Sequence, residues 1–248
     1  MSRMIAALVL GLSLAGPAAH AQTLTLTQPP PLAKGMPALP RIATPVTPAT
    51  TKINAALAKV DASWRDFTKS CNDQVGATDA DVERSNQVAM AGSGYFSVKI
   101  GYSYYCGGAH PEVGDIALTY SLDTGTPVNW SRLLPKSLID SVSTDNAGDG
   151  TIIGLVTSKT LQKIYAREAL VGRKGDDRKD CADVYSQGGL TFQVWLDAKA
   201  GAVMLVPNLA HVVAACGDPR PISVQTLRKL GVAAPLLIAI EAAHAAAH

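Results

Sequence analysis

The chain has 248 residues, with 22 Lys and Arg against 20 Asp and Glu, a formal charge of +2. So even a balance gives no electrostatic footprint for nucleic acid or for an anionic lipid surface. Hydrophobic residues make up 47%, enough for one core of ordinary domain size.

Residues 1–21 read as a signal peptide: Arg3 supplies the positive start, Met4 to Leu14 the apolar stretch, and Ala19-His20-Ala21 a small-x-small cleavage site. The apolar run is too short for a membrane span of about 20 residues. Cleavage would remove Arg3 and take the formal charge from +2 to +1. Residues 22–50 hold seven of the fifteen prolines. Proline fixes φ and removes a backbone donor, so this tract is expected to be an extended, disordered linker.

The folded domain is expected over residues 51–230. Ile53, Leu57, Val60, Trp64 and Phe67 recur at helical spacing, with Thr50 or Thr51 as the cap. Val82 to Ala91 reads as a strand and Gly92-Ser93-Gly94 as a turn. From Tyr95 to Tyr105 the chain alternates. Phe96, Val98, Ile100, Tyr102 and Tyr104 point one way, and Ser97, Lys99, Gly101 and Ser103 the other, as in a half-buried strand. Ile116, Leu118, Tyr120 and Leu122 repeat the pattern up to a turn at Asp123-Thr124-Gly125-Thr126. Ser131 is a candidate cap for the short turn that follows.

Asp145 to Gly150 reads as a polar loop, Ile152 to Leu170 as a second helix, and Arg173 to Asp180 as a charged connection. Leu190 to Leu196 alternates, and Val203 to Val206 is expected to return beside it as a hairpin. A strand near His211 to Ala215, a short helix from Ser223 to Leu230, and an Ala-rich helix or tail over residues 231–248 complete the chain. The order is that of an α+β fold, an antiparallel sheet packed against two main helices in a single domain.

Cys71, Cys106, Cys181 and Cys216 are an even set in the exported part, which implies bridges rather than free thiols. Of three possible pairings, Cys71–Cys106 and Cys181–Cys216 join nearest neighbours that flank predicted strands. Each closes a loop worth about 4 kcal/mol on the chain-entropy model. Zinc needs close C-x-x-C or H-x-x-H pairs, and the sequence has none; no metal or cofactor is expected. G-x-S-x-G, S-x-x-K, H-E-x-x-H and phosphate-loop motifs are also missing, so no enzymatic activity is expected.

The densest group of special residues follows the second strand: Tyr105, Cys106, Gly107, Gly108, Ala109, His110 and Pro111. Here Gly107 and Gly108 are expected to supply positive φ. The His110 ring either locks the loop through a backbone group or faces a ligand. Tyr102 and Tyr104 share the apolar face and belong to the core, whereas Tyr105 lies on the opposite face. Tyr105, Gly107, Gly108, His110 and Pro111 are therefore the candidate ligand-binding residues.

This block, with Tyr120 to Gly125 and the Leu133-Leu134 turn, resembles the Y-x-G-G-A-H … D-x-x-T-G … L motif of the RsiV-like extracytoplasmic domain family. The resemblance implies an α+β fold, an exported location and, for most members, no assigned activity. In the anti-sigma member this domain senses lysozyme by binding it; elsewhere it precedes a peptidoglycan deacetylase domain. The chain shows no transmembrane helix after cleavage, no sigma-binding segment and no deacetylase motif, so signalling and deacetylation are not expected.

The expected function is therefore that of a periplasmic or secreted binding module of the cell envelope with a protein or glycan ligand. A cell-wall hydrolase is the alternative, requiring a nucleophile or carboxylate pair in a cleft around His110 or His211. A purely structural envelope protein is the third reading, and it predicts no concave surface.

Overall fold

The computed structural model describes residues 24–76, 80–146 and 152–248; the expected signal peptide lies outside the described residues. Strands β1 (Thr25–Thr27) and β2 (Arg41–Thr44) form an antiparallel ribbon. The first helix, α1, runs from Pro48 to Val75. Its cap is Thr47, not Thr50 or Thr51. The Thr47 hydroxyl accepts from the Thr50 amide, and the Thr50 hydroxyl accepts from the Thr47 amide. Proline at the first helical position costs nothing there, because that amide has no helical partner.

Strands β3 (Asp81–Gly92), β4 (Tyr95–Tyr105) and β5 (Glu112–Ser121) form an antiparallel meander. Its apolar face meets α1. Ile53, Leu57, Val60 and Trp64 pack with Phe96, Val98, Ile100, Ile116 and Leu118 in one buried cluster. Tyr102 and Tyr104 extend that cluster at its open end. Trp64 stands 5.5 Å from Tyr102, and Phe67 lies 4.8 Å from Tyr104, ring centre to ring centre.

The short helix α2 (Trp130–Leu133) is capped by the Asn129 side chain, whose Oδ1 accepts from the Ser131 amide, so Ser131 is not the cap. Beyond it lies β6 (Ser141–Asn146), then β7 (Ile152–Thr157), α3 (Lys159–Ala169) and α4 (Gly175–Ser186). Residues 152–170 are thus a strand followed by a helix rather than one helix. Their first part is β-branched, which favours a strand. Ser158 then starts the helix by accepting from the Leu161 amide. The charged stretch 173–180 enters α4 rather than bridging loosely, with Asp176 and Asp177 in the first turn, where the helix dipole favours them.

Strands β8 (Thr191–Asp197) and β9 (Ala202–Pro207) form the expected hairpin. Residues 211–216 form a 3-10 turn, not a strand. Strand β10 (Arg220–Ser223), α5 (Val224–Lys229) and α6 (Ala234–Ala246) follow. The second sheet has the order β10-β9-β8-β7-β6, antiparallel throughout. Its outer face carries the larger core, where Phe192, Val194 and Leu196 meet Leu161, Tyr165, Leu227, Leu237 and Ile240. Helix α6 belongs to that core, so residues 231–248 are not a frayed tail.

The two sheets face each other across a thin seam of Ala89, Ala117, Trp195 and Val206. The polar face of β4 therefore looks at the second sheet rather than at solvent. Ser97 and Thr119, both buried there, satisfy each other at 2.8 Å. The architecture is α+β, in layers of helix, sheet, sheet and helices. Both expected disulfides are present, Cys71–Cys106 and Cys181–Cys216.

The proline-rich tract is a correction to the sequence reading. Met36, Leu39 and Ile42 are almost fully buried, and a buried charge cluster pins the segment. The Asp61 carboxylate accepts from the Leu39 amide at 3.1 Å, from Arg41 at 2.6 Å and from Arg84 at 2.6 Å. Burial lowers the pKa of Arg84 despite that carboxylate. Prolines stiffen the unfolded chain, so ordering this tract costs less than ordering a flexible one. The interspersed leucines and methionine then supply apolar surface.

Candidate functional site

The loop after β4 is held at its start by the bridge from Cys106 to Cys71, near the end of α1. Gly107 has φ of 86°, and a β-carbon there would collide with Cγ1 of Val75. Both the backbone and the space demand glycine. Gly108 does not share the positive φ that its sequence led us to expect. Tyr105 is half-buried at the end of β4, in register with Asp81.

His110 finds a partner that sequence reasoning did not provide. Its ring stacks on that of His211, with centroids 4.4 Å apart and planes 14° from parallel. Its Nδ1 is 3.3 Å from the Pro111 carbonyl and 4.0 Å from the Glu112 carboxylate. His211 opens the 3-10 turn that ends at Cys216, which is bridged to α4. Two loops from opposite layers, each anchored by its own disulfide, therefore meet through two imidazoles.

Beside them lies a groove of about 750 Å³ where the two sheets diverge. Glu83, Ser85, Ser103 and Asp115 line it from the three-stranded sheet, and Gln193 and Asn208 from the opposite side. Val113 and Gly114, just after His110, and Leu209 and Ala214, bracketing His211, complete the wall near the histidine pair. Gly101 forms part of the floor. A β-carbon there would stand 2.8 Å from the Ser85 hydroxyl and 3.3 Å from an Asp115 oxygen, so its absence lets both polar groups approach. The other Asp115 oxygen is 3.1 Å from Nζ of Lys99.

Gln193 closes one end. Its Oε1 accepts from the Ala117 amide at 3.0 Å and its Nε2 donates to the Asp115 carbonyl at 2.8 Å. The side-chain amide thus occupies the place on β5 where a neighbouring strand would pair.

None of the five candidate residues from the sequence lines the groove itself. His110 adjoins it through the residues that follow. Glu83, Ser85, Asp115, Gln193 and Asn208 were not singled out. Their signal was the polar half of the alternation in β3 to β5, which the sequence reads equally well as an outer face. No group of three or more His, Cys, Asp or Glu among the described residues is placed to hold a metal ion. No helix among them is long and apolar enough to cross a membrane. The groove is hydrogen-bonding, open and framed by braced loops.

No family model matches the chain, and no curated protein matches it. Among solved structures it is similar to a member of the DUF3298 family from Bacteroides fragilis NCTC 9343. Identity is 11% and the TM-score 0.44, over 79% of this chain and 74% of that one. The groove and its chemistry are read from this chain alone.

Proposed function

We propose that this chain is an exported binding domain of the bacterial cell envelope, related to the RsiV-like extracytoplasmic domains, whose ligand enters the groove beside His110 and His211. The observation that carries this reading is the contact between those two rings. It joins loops that separate disulfides have already ordered, so a ligand spanning them meets a wall whose conformational entropy was lost on folding. The lining offers hydroxyl, carboxylate and amide groups in a concave space of ordinary ligand-site size. Two bridges fit an oxidising compartment, and residues 1–21 have the three-part pattern of an export signal.

The ligand is a protein or glycan of the envelope. Lysozyme and peptidoglycan fragments are the two that the family resemblance implies. Immobilised wild-type protein is expected to retain one of them, and His110→Ala and Tyr105→Ala to retain less. Failure of the wild type to retain either would refute the reading.

A further inference from the structure

Strand β5 is an edge strand, and its outward-facing backbone groups can be followed along its length. The Ser121 amide donates to the Thr126 carbonyl, and the Thr119 carbonyl accepts from the Val128 amide. The Ala117 amide and the Asp115 carbonyl are taken by the Gln193 side chain. The odd-numbered residues therefore point away from β4. By the same alternation the Asp115 amide and both backbone groups of Val113 point outward too. Among the described residues these three groups have no recorded partner. Val113 is also one of the few large apolar side chains left exposed, at 55%, and it lines the groove.

We propose that this free stretch, Glu112 to Asp115, takes an extended basic segment of a partner protein as an added antiparallel strand. The proposal rests on the groove reading above and names the ligand class. Three unpaired ladder groups call for a peptide backbone rather than a sugar ring, because they repeat at strand spacing. Gln193 already stands in for the next stretch of such a strand, so the added segment continues a row that has begun. An exposed valine favours a β-branched residue opposite it. Charge selects the rest. Glu112, in register with Tyr104 and so on the face opposite Val113, makes no ion pair with Lys or Arg among the described residues. A cationic side chain next to the apolar one would meet that unbalanced charge.

The geometry fixes which amides of the guest matter. A residue directly opposite Val113 in an antiparallel pair shares its face and exchanges both hydrogen bonds with it. In a capped, fluorescent hexapeptide of alternating lysine and valine, the valine amides then point at β5 and the lysine amides away. Anisotropy titration should show binding that N-methylation of the valines weakens by about fivefold, the worth of one net hydrogen bond, because the Val113 carbonyl is the acceptor left for a guest amide once Gln193 has taken that of Asp115. N-methylation of the lysines should spare it. A glutamate–valine hexapeptide should not bind, and Val113→Pro should bind the lysine–valine peptide less. Because Val113→Pro itself risks altering the strand, amide exchange of the wild type supplies a second readout, with saturating peptide slowing Val113 and Asp115.

Equal affinity for both methylated peptides, absence of binding, or unchanged exchange at these amides would overturn strand addition. So would a dimer of this chain that protects them without peptide. If His110-dependent retention of lysozyme or of peptidoglycan fragments survives any of these results, the groove reading stands and only the strand is lost.

Discussion

At Asp61 a single carboxylate accepts from the Leu39 amide and from two guanidinium groups, with its side chain only 2% exposed. Two nitrogens of Arg84, Nε and Nη1, are buried without a partner among the described residues. Arg84 thus depends on Asp61 for its charge compensation, aided by a Trp64 ring 5.8 Å away. Asp61→Ala should lower the stability by about 3–5 kcal/mol, because it leaves a buried cation uncompensated. A urea midpoint that scarcely moves would contradict that. Tyr165 is a second such residue. Its hydroxyl donates to the carbonyls of Cys216 and Asp218. Burial, then the neighbouring Tyr185, pushes its pKa far above the usual tyrosine range. The folded state prefers the neutral phenol, so this contribution is intact below about pH 10, the ordinary tyrosine value, and is lost as the pH rises beyond it. Denaturant titrations from pH 8 to 11.5 should show stability falling on the alkaline side, with a shallower fall in Tyr165→Phe.

Among the elements, the disulfides have a dual role: each closes 35 residues of sequence separation and braces one wall of the groove. The double substitution Cys71→Ser with Cys106→Ser should lower stability by about 4 kcal/mol on the chain-entropy model. Guanidinium unfolding measures this, and a loss below about 1 kcal/mol would show that the bridge constrains little of the unfolded chain. Both pairings were legible because each joins segments that lie next to elements of recognisable periodicity. Helix α1, the meander and the β8–β9 hairpin were legible for the same reason. Strand β7 was not, since apolar residues from Ile152 to Leu170 fit a helical spacing until Ser158 is recognised as a cap. The 3-10 turn at His211–Cys216 was missed because Val212 and Val213 look like strand residues. Val212 is in fact 87% exposed, and the segment is shaped by its bridge.

For the whole molecule, the decisive feature is that two sheets share an interior that is apolar at one end and polar at the other. Trp195, Val206, Ala89 and Ala117 close the seam, while Ser85, Gly101, Ser103 and Asp115 leave it open as a groove. A sequence pattern records which residues alternate but not what faces them. Lys99, Gly101 and Ser103 therefore looked like an outer surface until the second sheet was placed over it. His110 was singled out from its own loop. Its partner His211, about a hundred residues later, had no local signal connecting the two. The packed proline tract follows the same logic, because its burial depends on Asp61 and Arg84 in elements far along the chain. We propose that ligand binds at this open end. The most direct test is a hydrogen-exchange footprint of the wild-type protein with and without whichever ligand it retains. Slowed exchange is expected over residues 103–115 and 208–217. Protection confined to α5 and α6, with the groove unchanged, would contradict it.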